Sequence, residues 1–205
     1  MRFRKRTARE PANDDASVRW VPASELLFSL PTICDELPVA TGPSMSATTF
    51  VMDQDDWRQI ELVSRSQRDA VHRNFAAIRA VKQEAVGLGY PRIHVREQPR
   101  APLHGVLIDR PTVEAAFAVT GSPLTTVGFY GTDGTLADTF AYVGQTTTVY
   151  AVERADQIVV LGISLTGDEV DPVRRAAFRL VADLHVWLVN WFLPRADPSL
   201  DDSAP

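Results

Sequence analysis

Apolar and polar residues recur along this chain with two different periods, and these periods predict the order of its elements. From Ser66 to Ala85 the apolar residues Val71, Phe75 and Ile78 recur at helical spacing, with arginines on the other side. This pattern predicts an amphipathic helix of about five turns. The GLGYP that follows supplies glycines and a proline that would end it.

Segments rich in β-branched and aromatic residues predict strands before and after this helix. ATTFVM (47–52) and WRQIELVS (57–64) predict a first hairpin, and RIHVRE (92–97) and LHGVLID (103–109) predict a second one around QPRAP. Later in the chain TTVGFYG, LADTFAYVG, TTTVYAVER and QIVVLGISL predict a four-stranded antiparallel meander, with Asp133-Gly134 at one tight turn.

Two Asp residues near prolines mark the starts of further helices. Asp109 would cap a short helix in RPTVEAAFAV, and Asp171 followed by Pro172 would open a last helix that runs to Pro194. The apolar stripe of this last helix continues into VWLVNWFL (186–193), which is apolar nearly all round. We therefore expect a long apolar C-terminal helix that is either buried or covered by a partner.

The resulting order, ββ-α-ββ-α-ββββ-α, predicts an α+β fold. We expect an antiparallel sheet of about six to eight strands with two or three helices packed on it. Residues 45–194 would form this single domain, after a disordered basic and polar tail (1–20) and a short helical strap with a linker (21–44). Residues 195–205 would form a disordered acidic tail.

Composition narrows the classes of function. The 205 residues are 45% hydrophobic and carry a formal net charge of -5, which does not favour a nucleic-acid partner. No apolar run reaches the roughly 18 residues that a membrane helix needs. Cys34 stands alone, so no intrachain disulfide can form. A single thiol is typical of a reducing compartment, and we expect a cytoplasmic protein in which Cys34 has a small buried role.

The second predicted hairpin holds the most polar candidate surface. Ile93 and Val95 alternate with His94 and Arg96, and His94 would lie near His104 across the turn. Two imidazoles without a third ligand do not make a metal site, so we expect no metal and no cofactor there. The candidate binding residues on this face are Arg92, His94, Arg96, Arg100 and His104.

Two motifs resemble a calcium loop and a phosphate loop, but each lacks a feature that such a loop requires. DQDDW crowds three carboxylates together, but Arg58 stands where a helical calcium loop needs glycine. GLGYPR follows a helix, whereas a phosphate loop precedes one. Trp187 and Trp191 in the last helix are the remaining candidates, as anchors of a protein interface or of a homodimer.

These observations favour a non-catalytic soluble protein that acts through protein–protein contact, as an adaptor, a chaperone-like protein or an immunity-type neutralising protein. The alternative is an enzyme or a small-ligand-binding protein whose site is assembled around His94 and His104 from scattered residues such as Arg96, Asp109 and Tyr130.

Overall fold

The computed structural model describes residues 27–97 and 101–198 and shows the predicted α+β class. Its helices are α1 (Arg68–Gln83), α2 (Arg110–Ala118) and α3 (Pro172–Leu184), and short 3-10 turns lie at Gln54–Asp56 and Arg65–Gln67. Its strands are β1 (Thr32–Cys34), β2 (Phe50–Met52), β3 (Ile60–Val63), β4 (His94–Arg96), β5 (Leu124–Thr125), β6 (Val127–Phe129), β7 (Thr139–Val143), β8 (Thr147–Arg154), β9 (Gln157–Leu165), β10 (Trp187–Asn190) and β11 (Arg195–Asp197).

One antiparallel sheet organises these elements. Its seven strands run in the order β11-β10-β3-β9-β8-β7-β5. Two small parallel sheets, β1-β4 and β2-β6, lie outside it. The meander prediction is confirmed for β7, β8 and β9. The predicted strand before them forms two short strands: β5 pairs with β7, and β6 pairs in parallel with β2.

Three apolar clusters cover the two faces of the sheet. On one face, Leu62, Leu161 and Val149 pack beneath α2 and α3. On the other face, Val63, Trp187 and Val189 pack beneath α1. Farther along that second face, Tyr150 and Val160 pack with residues of β2 and β6.

The helix predictions are confirmed where their signals are local. Helix α1 buries Val71, Phe75, Ile78 and Val81, which follow one another at about one turn. The side chain of Asp109 accepts a hydrogen bond from the Thr112 N–H at 2.9 Å and caps α2. Asp171 caps α3 in the same manner.

The long apolar C-terminal helix was a wrong prediction. Helix α3 has 13 residues and stops before His185, whose backbone is left-handed (φ 53°). Residues 187–190 instead form β10, which pairs with β3 and places Trp187 and Val189 on one face and Leu188 on the other. Strand β11 follows inside the segment that we assigned to the acidic tail, so strand structure extends to Asp197.

Both early hairpin predictions were wrong as well. Strand β3 pairs with β9 and β10 and not with β2. Strand β4 pairs in parallel with β1, which places Thr32 opposite His94, and residues 103–109 form turns and coil. The predicted strap therefore contains a strand, β1, while its residues 21–26 and the tail at 1–20 lie outside the described residues.

Candidate functional site

A cluster of charged side chains is buried on the α1 side of the sheet. Glu61 of β3 has no exposed surface, and one of its carboxylate oxygens accepts a hydrogen bond from Arg58 Nε at 2.7 Å. Its other oxygen accepts from Trp191 Nε1 at 2.8 Å. Burial alone would lower the pKa of the Arg58 guanidinium, but the attraction and hydrogen bond of Glu61, together with Cys34 and Tyr150, outweigh burial and raise that pKa. Both carboxylate oxygens are thus satisfied, as a buried charge requires.

Arg96 is a second buried guanidinium beside the same cluster. It donates to Thr32 Oγ1 at 3.2 Å, to Gln59 Oε1 at 3.3 Å and to the Arg58 carbonyl at 3.0 Å. Its guanidinium carbon also lies 5.2 Å from the ring centre of Trp191. Burial lowers the pKa of Arg96 to about 10, which leaves it charged at neutral pH. Its Nε has no hydrogen-bond partner among the described residues.

The local backbone positions this cluster. Arg58 has a positive φ of 55°, and its backbone N–H donates to the Tyr150 hydroxyl at 2.7 Å. Tyr150 is fully buried and stacks on Trp57, with ring centres 4.9 Å apart. The neighbouring Cys34 thiol is also buried, and burial raises its pKa, so it is a poor nucleophile. The cluster holds β1 and β4 against the sheet through the hydrogen bonds of Arg96.

The predicted binding face on β4 is inverted. Val95 is 46% exposed, whereas Arg96 is buried, because a carboxylate and polar acceptors from other segments lie on the inner side. Arg92 is exposed and ion-paired with Glu84. Arg100 lies outside the described residues.

The two histidines of the alternative hypothesis do not face each other across a hairpin. His94 is half-buried, and its Nε2 lies 2.8 Å from Asn74 Oδ1 on α1. Burial, aided by the nearby Arg96, lowers the pKa of His94. His104 is exposed in a turn, where its carbonyl accepts from Ser66 Oγ at 3.3 Å. Asp109 is occupied as a helix cap, and Tyr130 is 64% exposed.

Trp187 and Trp191 are not exposed interface anchors. Each is 1% exposed and packs beneath α1, Trp191 with its ring edge against Phe75. Among the candidate residues, the structure brings Arg96 and Trp191 together, but inside the protein.

The open surface that the sequence did not reveal is a groove between α3 and strands β10 and β11. This α3 groove is a cavity of about 360 Å³. Its apolar wall consists of Ile60, Ile163, Leu165, Phe178 and Leu188. Phe178 and Leu165 are each 43% exposed. The groove continues into a second cavity of about 370 Å³ that shares Phe178, Leu188 and Asp197.

The groove exists because α3 leaves part of its sheet face uncovered. Its buried residues, among them Val173, Ala177 and Leu180, cover the middle of the sheet, and Phe178 lies to one side of this stripe. Leu188 and its neighbour Ile60 then stay only partly buried. In the sequence, Phe178 lies outside the main apolar stripe of α3, but the apolar residues of β10 continue that stripe and mask this signal.

No three His, Cys, Asp or Glu side chains in the described ranges are grouped to hold a metal ion. Nor do these ranges contain a helix with the length and apolarity to cross a membrane. Comparisons of the chain with protein-family models, curated proteins and solved structures found no match.

Proposed function

We propose that this protein acts by contact with a partner protein and that the α3 groove receives an apolar side chain of that partner. The observation that carries the proposal is the exposure of Phe178 and Leu165 beside an apolar cavity of about 360 Å³. Exposed apolar side chains that line a concave surface are typical of interaction sites. Phe192, 38% exposed, lines a neighbouring cavity that shares Ile163 and Leu165 with the groove.

The titratable groups support a binding role more than a catalytic one. Glu61, Arg58 and Cys34 are buried. His94 contacts α1 from strand β4, whereas His104 lies in an exposed turn. An acid or base must reach substrate, and none of these groups lines the α3 groove. We therefore favour an adaptor, a chaperone-like protein or a neutralising protein, placed in the cytoplasm because its single thiol suits a reducing compartment.

The test is a comparison of two surface variants in affinity capture from the host lysate. Phe178→Ser removes the exposed ring from the groove, whereas Tyr130→Ser removes an exposed ring from another surface. We expect the wild type and Tyr130→Ser to retain the same near-stoichiometric protein and Phe178→Ser to lose it. Retention of that protein by Phe178→Ser and by Leu165→Ser would contradict the proposal.

A further inference from the structure

The charges around the α3 groove have one predominant sign. Arg174 and Arg195 line its first cavity, and Arg65 and His185 line the continuation. Asp197 is the carboxylate among the described lining residues of both cavities. Three arginines therefore face one aspartate around an apolar wall.

Two of these arginines, Arg65 and Arg195, do not stabilise the described part of the fold through polar contacts. The side chains of Arg65 and Arg195 form no hydrogen bond or ion pair with the described part of the chain. Arg174 differs, because it donates to Thr147 Oγ1 and to the carbonyls of Asp168 and Gly167. Arg65 and Arg195 are thus available to a ligand, while Arg174 supports the wall.

Arg65, Arg174 and Arg195 form a basic rim around the groove, whereas the net charge of the whole chain is negative. With a formal net charge of -5, the protein repels an acidic partner at long range. A local excess of arginine around an apolar groove offsets that repulsion at one place and gives specificity to the contact. Arginine is also the side chain best suited to bind carboxylates, through two parallel hydrogen bonds.

We infer that the α3 groove binds an acidic segment of a partner protein, in which an apolar side chain is flanked by Asp or Glu. The apolar side chain enters the wall formed by Phe178 and Leu188, and the flanking carboxylates pair with Arg65 and Arg195. This inference rests on the proposed function, since it names the kind of partner for the same groove. A different occupant is the chain's own SLDDSAP (199–205), which has similar chemistry and follows Pro198 of the groove lining.

Selection from a random peptide library displayed on phage tests the inference and does not require the partner to be identified first. The baits are the full chain, the chain that ends at Pro198, Phe178→Ser, the double variant Arg65→Glu/Arg195→Glu, and Arg179→Glu. Arg179 is an exposed arginine of α3 outside the groove lining, so its variant is matched in charge change to each groove substitution. Nonspecific attraction to a chain of net charge -5 would enrich basic peptides, so it cannot imitate the expected result.

We expect the full chain to enrich peptides in which Asp or Glu flanks Leu, Phe or another large apolar residue. Phe178→Ser should abolish this enrichment, and Arg179→Glu should retain it. Synthetic peptides from the selection should bind the double charge variant at least about tenfold more weakly, because two charge-assisted contacts are reversed. Their affinity for the wild type should fall as salt is raised.

Three other outcomes would overturn the inference, and they differ in what they leave standing. Enrichment that depends on Phe178 but lacks acidic residues would refute the acidic partner and retain the proposed function. Enrichment that no groove substitution changes would refute both. Enrichment that appears only when the chain ends at Pro198 would assign the groove to the chain's own 199–205 segment.

Discussion

The ring of Tyr150 lies across Gly162, its register partner on the neighbouring strand β9. A Cβ at position 162 would overlap the ring and its hydroxyl. The same hydroxyl accepts the backbone N–H of Arg58, so the absence of a side chain at Gly162 permits the turn that leads into β3. Glu61 of β3 is the register partner of Gly162 on its other side.

Gly162→Ala should therefore destabilise the protein, although alanine ordinarily suits a strand better than glycine. We expect a loss of about 2–3 kcal/mol in the free energy of unfolding, because the tyrosine ring must shift and give up its hydrogen bond. Urea unfolding followed by tryptophan fluorescence measures it. Gly167→Ala is the control, since its nearest contact would be the Thr146 methyl group at 3.2 Å. Equal losses for the two variants would contradict this account.

Substitutions of Glu61 and of Arg96 in the buried charged cluster should lower the free energy of unfolding by different amounts. Glu61→Ala leaves Arg58 without that carboxylate and the Trp191 N–H without its acceptor, so we expect a loss of about 3–5 kcal/mol. Arg96→Met should cost about 1–2 kcal/mol, because Arg96 contacts neutral acceptors and methionine preserves packing on Trp191. Chemical unfolding of both variants gives the comparison. A larger loss for Arg96→Met than for Glu61→Ala would show that the cluster depends on Arg96.

Asp171 should make the protein sensitive to acid. Burial alone would raise its pKa, but hydrogen bonds from the N–H groups of Arg174, Thr146 and Thr147 outweigh burial and lower it. The unfolded carboxyl then binds a proton first as the pH falls. The stabilisation is complete above the unfolded pKa of about 3.9 and is lost as the pH falls through the lower folded pKa.

Asp171→Asn is the variant that tests this assignment. Its amide oxygen can still cap α3, but its NH₂ group would face the N–H groups of Thr146 and Thr147, so we expect a loss of about 1–2 kcal/mol at neutral pH. Unfolding curves from pH 6 to pH 2.5 should show a smaller acid loss for this variant than for the wild type. Asp183→Asn, at an exposed position of the same helix, should keep the wild-type slope.

His94 should titrate below the ordinary histidine value of about 6.5. Asn74 Nδ2 donates to the Ala70 carbonyl, so Asn74 Oδ1 faces the imidazole and accepts from its Nε2–H. Burial and Arg96 then disfavour the charged ring. The pKa of His94 is lower in the folded than in the unfolded protein. The contribution of His94 to stability is therefore complete above about pH 6.5 and is lost as the pH falls through the folded pKa. NMR titration measures the pKa of His94 directly.

Asn74→Asp places a negative charge beside the His94 imidazole. A carboxylate beside Nε2 favours the imidazolium, and the pKa of His94 should rise relative to the wild type. A wild-type pKa at or above 6.5 would contradict the effect of burial and Arg96, and no rise in the variant would contradict the hydrogen bond between His94 and Asn74.

The sequence predicted elements whose signals lie within one or two turns. Val71, Phe75 and Ile78 define α1 by their spacing, and Asp171 with Pro172 defines the start of α3. The end of α3 was missed because apolar residues continue past Leu184. Only the β-branched and aromatic alternation of Trp187, Val189 and Trp191 distinguishes the strand from more helix.

Strand partners and the buried arginine could not be predicted in the same way. The parallel pairings β1-β4 and β2-β6 join segments that are distant in sequence, and no turn chemistry announces them. Arg96 was placed outward because isolated charges avoid the interior. Its inward position depends on Thr32, Gln59 and the Arg58 carbonyl, which the fold alone brings to it. The α3 groove likewise depends on where α3 ends.

The position of β3 between β9 and β10 also affects how the chain can fold while it is being synthesised. Residues 60–63 leave the ribosome long before either neighbour, and Glu61 receives its hydrogen bond from Trp191, 130 residues later. Until residues 187–191 have been translated, β3 lacks one of its two neighbouring strands and Glu61 lacks that donor. Such long-range pairing slows folding and prolongs the exposure of apolar strands. The nascent chain should therefore depend on protection from aggregation during synthesis, until its last central strand is added.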